Sequence, residues 1–460
     1  MVGEAAVQGL KMQLRGELLR PGDAGYDVAR KVWNGMIDKR PALIVRCAGA
    51  GDVVNSVKFA REHNLLVSVR GGGHNIAGNC VCDGGLMIDL APMKGMRVDP
   101  VQRTAQAQPG LKLGEFDRET QAFGLATTLG IASDTGIAGI TTGGGYGWLG
   151  GKYGLACDNL LSVDVVTAEG ELVRASAEEN PDLFWGVRGG SGNFGIVTLF
   201  EYQLHPVGPV LGGAVLYPLS QGPETLQFLH EFSSTCPDEV TTVPLLISSG
   251  TVGFVLGTPS DHPAVAIAAC YCGPLNVGEK VLKPLRTFGS PLGALLQPLT
   301  YVQMQSMFDG AWEPKRQYYW KSSLIREVSR DAIEILVEMA QATPAGMGSV
   351  IFLQQLHGAA SRIRATETAF PHRYDHYNCG AVAAWDDPAE TEKCIRWARQ
   401  CWEAMQPFYE HSVYVNDLGE EGEQRVREAY APNYERLVAL KNKYDPTNFF
   451  RLNQNIKPTA

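Results

Sequence analysis

The residues with the clearest chemical potential sit in one glycine-rich run, Arg70-Gly71-Gly72-Gly73-His74-Asn75, which continues through Gly78 to Asn79. Three successive glycines remove the Cβ atoms that would hold a ligand off the main chain. Neighbouring N–H groups can then converge on one anion, as around a diphosphate. A second run, GIAGITTGGGYGW at 136–148, carries glycines at 136, 139, 143, 144, 145 and 147. Such density is costly in folding entropy, which favours a ligand-binding role over a purely structural one. A third cluster, 190–195, matches the dinucleotide pattern G-x-G-x-x-G. That motif must follow a strand and open a helix. Here a helical stretch at 181–187 precedes it and a strand at 196–204 follows, so the order is reversed and the fingerprint is excluded. No metal-ligand spacing and no nucleophile triad is present.

These loops need elements to hold them. Residues 41–46 (PALIVR) read as a strand, and 52–63 as a helix from the spacing of Val53, Val54, Val57 and Ala60. A second strand at 65–69 ends directly at the first glycine run. Segments 86–90, 95–98 and 104–108 form a strand meander, and 113–123 is a helix closed by Gly124. From about Gly208 the texture changes. Segments 214–217, 243–247, 252–256, 264–272, 319–325, 350–356 and 377–385 are strand-like, with helices at 224–233, 330–340 and 388–406 between them. This mixed order predicts an α+β fold whose second part is a broad antiparallel sheet flanked by helices.

The bulk numbers agree with a globular protein of two domains: 460 residues, 45% hydrophobic and 19% charged. A net charge of −9 without a Lys/Arg run argues against nucleic-acid binding. Charges interrupt every short apolar stretch of the N-terminus, and no segment approaches a bilayer span, so neither a secretory signal nor a membrane anchor is expected. Ten cysteines, including the C-x-C pairs Cys80/Cys82 and Cys270/Cys272, read as buried or semi-buried thiols rather than a disulfide framework. The expected location is the cytoplasm.

Five segments in fixed order carry a resemblance: strand–RGGGHN, IAGITTGGGYGWL, YGLACDNLLSVDVVTAEGE, NPDLFWGVRGGSGNFGIVTLFEYQLHP and the closing YDPTNFFRLNQNIKP. Together they resemble the FAD-linked oxidases of the berberine-bridge-enzyme type, within the PCMH-type (vanillyl-alcohol-oxidase) flavoprotein superfamily, over nearly the whole chain. The resemblance implies a two-part FAD domain, 1–208 (PCMH-type from about 37) completed by 414–460, around a substrate domain at 209–413. It implies that His74 is bonded to the 8α-methyl group of the flavin; a plain hydrogen bond to phosphate is the alternative. It places the backbone of Arg70, Gly71, Gly72, Gly73 and Asn75 at the diphosphate, with Gly78 and Asn79 close by. Thr135, Gly136, Gly139, Gly145 and Val197 would line the rest of the cofactor, and Asn453 and Asn455 would close over it. Many relatives carry a second flavin link from a cysteine before the second glycine run. Here that position is Ala132, so the FAD is expected to be monocovalent. Cys157 belongs to a different motif and reads as a structural thiol.

The reaction implied is hydride transfer from an alcohol or amine carbon of a small organic substrate (a sugar, polyketide or alkaloid-like compound), with O2 accepting the electrons and giving H2O2. A dehydrogenase using another acceptor and a non-catalytic flavin-binding protein are the rival readings. The proton acceptor is open. Relatives place an aromatic base after a Y-x-N element; here Tyr414-Val415-Asn416 leads to Asp417 instead. Asp417 is either the base or the start of an acidic turn, and Tyr414 is a weaker candidate. His357 and Gln354, at the end of the 350–356 strand, are candidates for base and substrate contact, His357 being equally readable as structural. Tyr318, Tyr319 and Trp320 either line the pocket or fill core; Tyr319 is taken as the substrate contact.

Overall fold

A computed structural model describes residues 2–459 except Ala345 and Met347. The first glycine run leaves a small sheet in which Leu43–Arg46, Leu86–Asp89 and Val67–Arg70 pair in parallel and Glu17–Leu19 adds an antiparallel edge. The helix Ala50–Glu62 turns Val53, Val57 and Ala60 inward, as its spacing predicts, and all three are fully buried. A second sheet is antiparallel and five-stranded, in the order Met96–Asp99, Thr104–Ala107, Ile196–Gln203, Leu160–Val166, Leu172–Ser176. Helix Leu113–Gln121 and the short helix Ile137–Thr142 lie beside it.

The later part of the chain is dominated by a seven-stranded antiparallel sheet. Its order is Gly293–Leu299, Val210–Pro218, Ala264–Tyr271, Val240–Ile247, Val350–Leu356, His376–Trp385, Gln317–Ile325. Strands Val240–Ile247, Ala264–Tyr271 and His376–Trp385 are buried along their full length because both faces are covered. One face packs against helices Gly222–Thr235, Arg330–Gln341 and Thr391–Ala404 through Leu229, Leu336, Trp397 and their neighbours. The other face carries Val243, Leu245, Val350, Phe352 and Val382.

Two sequence expectations need correction here. The segment 252–256 is not a strand: it is the end of helix Ser249–Leu256, capped by the Ser248 side chain and closed by Gly257 at φ +68°. Its β-branched and aromatic residues resemble a strand, but that cap and that αL terminus outweigh propensity. The edge strand Gly293–Leu299 was not expected from the sequence. It is mostly exposed, so its residues lack the apolar alternation that marks a half-buried strand.

The chain after Val413 returns to the first sheets. Val413, Val415, Leu437, Leu440 and Ile456 share one apolar core with Phe116, Val165 and Phe200. The buried Lys441 ammonium pairs with Asp445 (2.6 Å) and donates to the carbonyls of Asn193 and Phe450, both at 2.9 Å. Asn193 in turn donates to the Gln454 carbonyl and accepts from the Ile456 N–H. These bonds pin the 450–456 segment against the 191–195 turn. Among the described residues, no helix is long and apolar enough to cross a membrane.

Candidate active site

A cavity is lined by both glycine loops and by residues of the seven-stranded sheet on the face away from its helices. The two loops that form its floor touch backbone to backbone. A Cβ on Gly72 would meet the Gly136 Cα at 2.5 Å, and a Cβ on Gly136 would meet the Gly72 Cα at the same distance. Only glycine permits that approach. The Leu113 N–H donates to the Thr135 carbonyl and the Gly114 N–H to that of Ser133, which ties the second loop to the start of a helix.

His74 stands on this floor, and three groups hold its ring. The Trp33 indole stacks on it with centroids 5.0 Å apart, and Tyr318 stacks on Trp33 at 4.0 Å. The third is Asp134, whose Oδ2 lies 3.3 Å from His74 Nε2. Asp134 also forms an ion pair with Lys112. Burial raises the Asp134 pKa, but the hydrogen bonds from His74 and Lys112 outweigh it and hold the carboxyl below its ordinary value.

The cavity wall also holds Asp417. Its carboxylate Oδ2 accepts from Asn378 Nδ2 at 2.6 Å and from Ser322 Oγ at 3.2 Å. Burial pushes its pKa up to about 6, with those two hydrogen bonds opposing the rise and Glu421 adding to it. Tyr414 also lines the wall; its hydroxyl accepts from the Gly145 N–H (3.1 Å) and from Asn416 Nδ2 (2.7 Å). Burial raises its pKa. The sheet contributes Val243, Leu245, Trp320, Val350, Phe352 and Val382 to the wall, with Gln354 the one amide among them.

The remaining expected positions divide. Gly71, Gly72, Gly73, Asn75, Asn79, Thr135, Gly136, Gly139, Val197 and Asn453 lie on the cavity wall with His74. Arg70, Gly78, Gly145 and Asn455 stand behind it. Arg70 instead forms a two-pronged ion pair with the buried Asp89 and supports the loop from below. Gly78 packs on Ile37, and Gly145 serves Tyr414 through its N–H.

The structure places two of the expected residues of segment 209–413 off the cavity wall. His357 is not on the wall: its Nε2 donates to the Val240 carbonyl at 2.7 Å, and burial lowers its pKa, so it is a neutral structural imidazole. Tyr319 points to the helical face of the sheet, where Arg399 Nε donates to its hydroxyl at 2.9 Å. The strand is right but the face is wrong, since side chains alternate; Trp320 is the residue that reaches the cavity.

Sequence reasoning missed Trp33, Asp134 and the Ser191–Gly192–Gly195 turn on the wall, and left Trp320 open between pocket and core. The 190–195 cluster fails as a Rossmann motif yet still borders the cavity. Its glycines, with Gly195 at φ +157°, were the available signal.

The wall fits a large, partly polar cofactor. A Cβ on Gly139 meets no atom within 4 Å, although the residue lines the cavity. The Trp33 and Trp320 indole N–H groups and the Asn453 carbonyl oxygen are buried without partners among the described residues, which is costly unless a ligand supplies them.

Comparison with known proteins decides the cofactor. The FAD binding domain model matches residues 41–176, and the berberine and berberine-like model matches 413–457. An FAD-linked oxidoreductase of Dictyostelium discoideum is 30% identical over 97% of this chain and 95% of its own length. The (R)-6-hydroxynicotine oxidase of Paenarthrobacter nicotinovorans is 32% identical over 97% and 98%. The chain belongs to the berberine-bridge-enzyme-type FAD-linked oxidoreductases. Crystalline 6-hydroxy-D-nicotine oxidase of Arthrobacter nicotinovorans superposes on this oxidoreductase with a TM-score of 0.87, at 30% identity over 96% of this chain and 98% of that one. The moss Physcomitrella patens BBE-like 1 shares the fold (TM-score 0.87, 22% identity, 99% of both chains). This FAD-linked oxidoreductase therefore uses the PCMH-type scaffold, and its two family matches flank the seven-stranded sheet.

Proposed function

We propose that this oxidoreductase removes hydride from the carbon bearing a hydroxyl or amine in a small, largely apolar substrate, and is an oxidase. Asp417 takes the proton from the attached O–H or N–H. The observation that carries the reading is the Asp417 carboxyl itself: buried at the cavity wall, with both strong donors on Oδ2 and no described partner on Oδ1. A base with a pKa near 6 is ionised at neutral pH yet still basic enough to accept a proton.

FAD, when bound, supplies the hydride acceptor. Gly71, Gly72, Gly73, Asn75, Thr135, Gly136, Gly139 and Val197 would hold it, Asn453 would close over it, and His74 would bond to it covalently. Attachment is single, because Ala132 offers no thiol.

The substrate face favours rings over sugars. Trp320, Phe352, Val243, Leu245 and Val382 offer flat apolar contact, whereas a sugar needs many directed hydrogen bonds. The hydroxynicotine oxidase likeness supports an alkaloid-like amine or alcohol over a polyketide; it describes that relative and not this chain's own substrate.

The test is anaerobic stopped-flow reduction of the holoenzyme with a panel of heterocyclic amines, benzylic alcohols and sugars, followed by mixing with air. Bleaching by an apolar amine or alcohol, and fast return of the yellow form in air with H2O2 release, are expected. Reduction by sugars alone would overturn the substrate class. Slow reoxidation in air would make the enzyme a dehydrogenase. Acid-precipitated wild-type protein should stay yellow, His74→Ala should release its flavin, and peptide mapping should find flavin on the His74 peptide only.

A further inference from the structure

Asp134 and Lys112 have no part in the proton transfer at Asp417, yet they are built onto the one imidazole of the cavity floor. We propose that Asp134, held by Lys112, is a positioning residue for covalent attachment: it fixes the tautomer of His74 so that Nδ1 is the nitrogen that bonds the flavin. The inference rests on the reading that His74 is the attachment site.

Three observations converge. First, Asp134 is paired with the Lys112 ammonium, and against burial the hydrogen bonds from His74 and Lys112 hold its carboxyl below its ordinary pKa, so its oxygens only accept hydrogen bonds. The 3.3 Å contact therefore places the hydrogen on His74 Nε2. In a neutral imidazole the other nitrogen must then carry the lone pair, and Nδ1 makes no hydrogen bond among the described residues. Second, the contact is not a chance meeting of mobile side chains. The backbones of the two loops interlock at Gly72 and Gly136, two residues from each partner, and Lys112 bridges to Gly136 across the same junction. Third, the stacked Trp33 restrains the ring from flipping to exchange its nitrogens.

The balance of the step explains why a carboxylate is useful. When Nδ1 bonds the 8-methyl carbon, one C–H bond of that methyl group breaks and its proton leaves to solvent. The imidazole becomes cationic with its hydrogen still on Nε2. The two electrons left on the flavin pass to dioxygen. Asp134, already against Nε2, meets the new positive charge as it forms, and an ionised acceptor strengthens that hydrogen bond. Lys112 keeps the carboxylate ionised and aimed before the bond is made.

Full-length wild type, Asp134→Asn, Asp134→Ala, Asp134→Glu and Lys112→Met are expressed with limiting riboflavin, and FAD is then added. The readouts are total bound flavin, flavin retained after acid precipitation over time, and the attachment nitrogen, determined by NMR of the aminoacyl flavin. Wild type should attach through Nδ1. Asp134→Asn should attach at least ten-fold more slowly with total FAD binding preserved. Asp134→Ala should be slower still and give a mixture of Nδ1 and Nε2 products, and Asp134→Glu should recover most of the rate. Lys112→Met should be slowed less than Asp134→Ala. If wild type releases all of its flavin in acid, the His74 reading itself fails. If wild type is covalent but the Asp134 variants attach at the same rate and through the same nitrogen, only the role of Asp134 is overturned. A variant that loses FAD binding and its circular-dichroism signature together is replaced by Asp134→Ser, for which the same rate and nitrogen criteria apply.

Discussion

At Asp417, two opposing effects set the behaviour of one carboxyl group. Burial raises its pKa from 3.8 to about 6, even with Asn378 and Ser322 donating to it. The unfolded carboxyl loses its proton near 4 and the folded one near 6, so between those values the folded state holds the extra proton and stability falls as pH rises. Above that window the charged side chain is a standing cost of roughly 3 kcal/mol, from about two pKa units at 1.36 kcal/mol each. Asp417→Asn keeps an acceptor for both donors and removes the charge. It should raise the urea midpoint at pH 7.5 and leave it nearly unchanged at pH 4. The same variant should slow flavin reduction by about 10²–10⁴-fold, and the wild-type reduction rate should climb with pH through about 6 while the variant's does not. A variant less stable at pH 7.5, or one that reduces at the wild-type rate, would remove Asp417 from the base position; Tyr414→Phe measured alongside tests the next group on the wall.

The glycine loops act as a joint between elements, and the contact between Gly72 and Gly136 is its pivot. Gly72→Ala or Gly136→Ala forces a methyl group into a backbone 2.5 Å away, so the loops must part. Overpacking of this kind costs about 1–3 kcal/mol. Here the damage should fall mainly on flavin content, measured as the ratio of visible to ultraviolet absorbance; Gly139→Ala, facing open cavity, should lower flavin content while leaving the urea midpoint of the flavin-free protein unchanged. The glycine runs were legible in the sequence because glycine's freedom is a property of the residue. The helix Ala50–Glu62 and the buried sheet strands were legible for a similar reason, as their burial is written in periodicity. What sequence could not reveal were relations across space. Tyr319 and Trp320 differ only in the parity of one strand, and nothing local says which face meets the cavity. Asp134 looks like an ordinary loop aspartate until a loop sixty residues away brings His74 to it. His357 has the side chain of a base, but its Nε2–H donates to the Val240 carbonyl and the ring does not line the cavity.

Over the molecule as a whole, the segment that follows the Val350–Leu356 strand is fastened to the glycine-run part of the chain by hydrogen bonds to Trp185 and Arg188 and by a buried ion pair. The Arg373 guanidinium donates to both oxygens of Asp158 at 2.7 and 2.8 Å, and also to Thr368 Oγ1 and the Ala360 carbonyl. Both side chains are almost completely enclosed. Such a pair adds little over a well-packed apolar pair, but losing one member strands the other charge. Arg373→Leu should therefore destabilise by about 3–5 kcal/mol, seen as a lower denaturation midpoint, and Arg373→Leu with Asp158→Asn should recover a substantial part of it. If the double variant is no better than the single one, the stranded charge is not the source of the loss.

The cavity wall is also an instruction about timing. It draws on residues from Trp33 to Gln454, and the last of them, pinned to Asn193 by the 450–456 segment, come from the far end of the described chain. During synthesis the N-terminal parts emerge and begin to fold first, so the ribosome will have made His74 and both glycine loops long before it makes the residues that close over them. A nascent chain halted before residue 450 should present His74 without the wall residues Phe450, Leu452, Asn453 and Gln454. If that segment completes the flavin site, such a halted chain should take up less FAD than the full-length protein, read as the ratio of visible to ultraviolet absorbance.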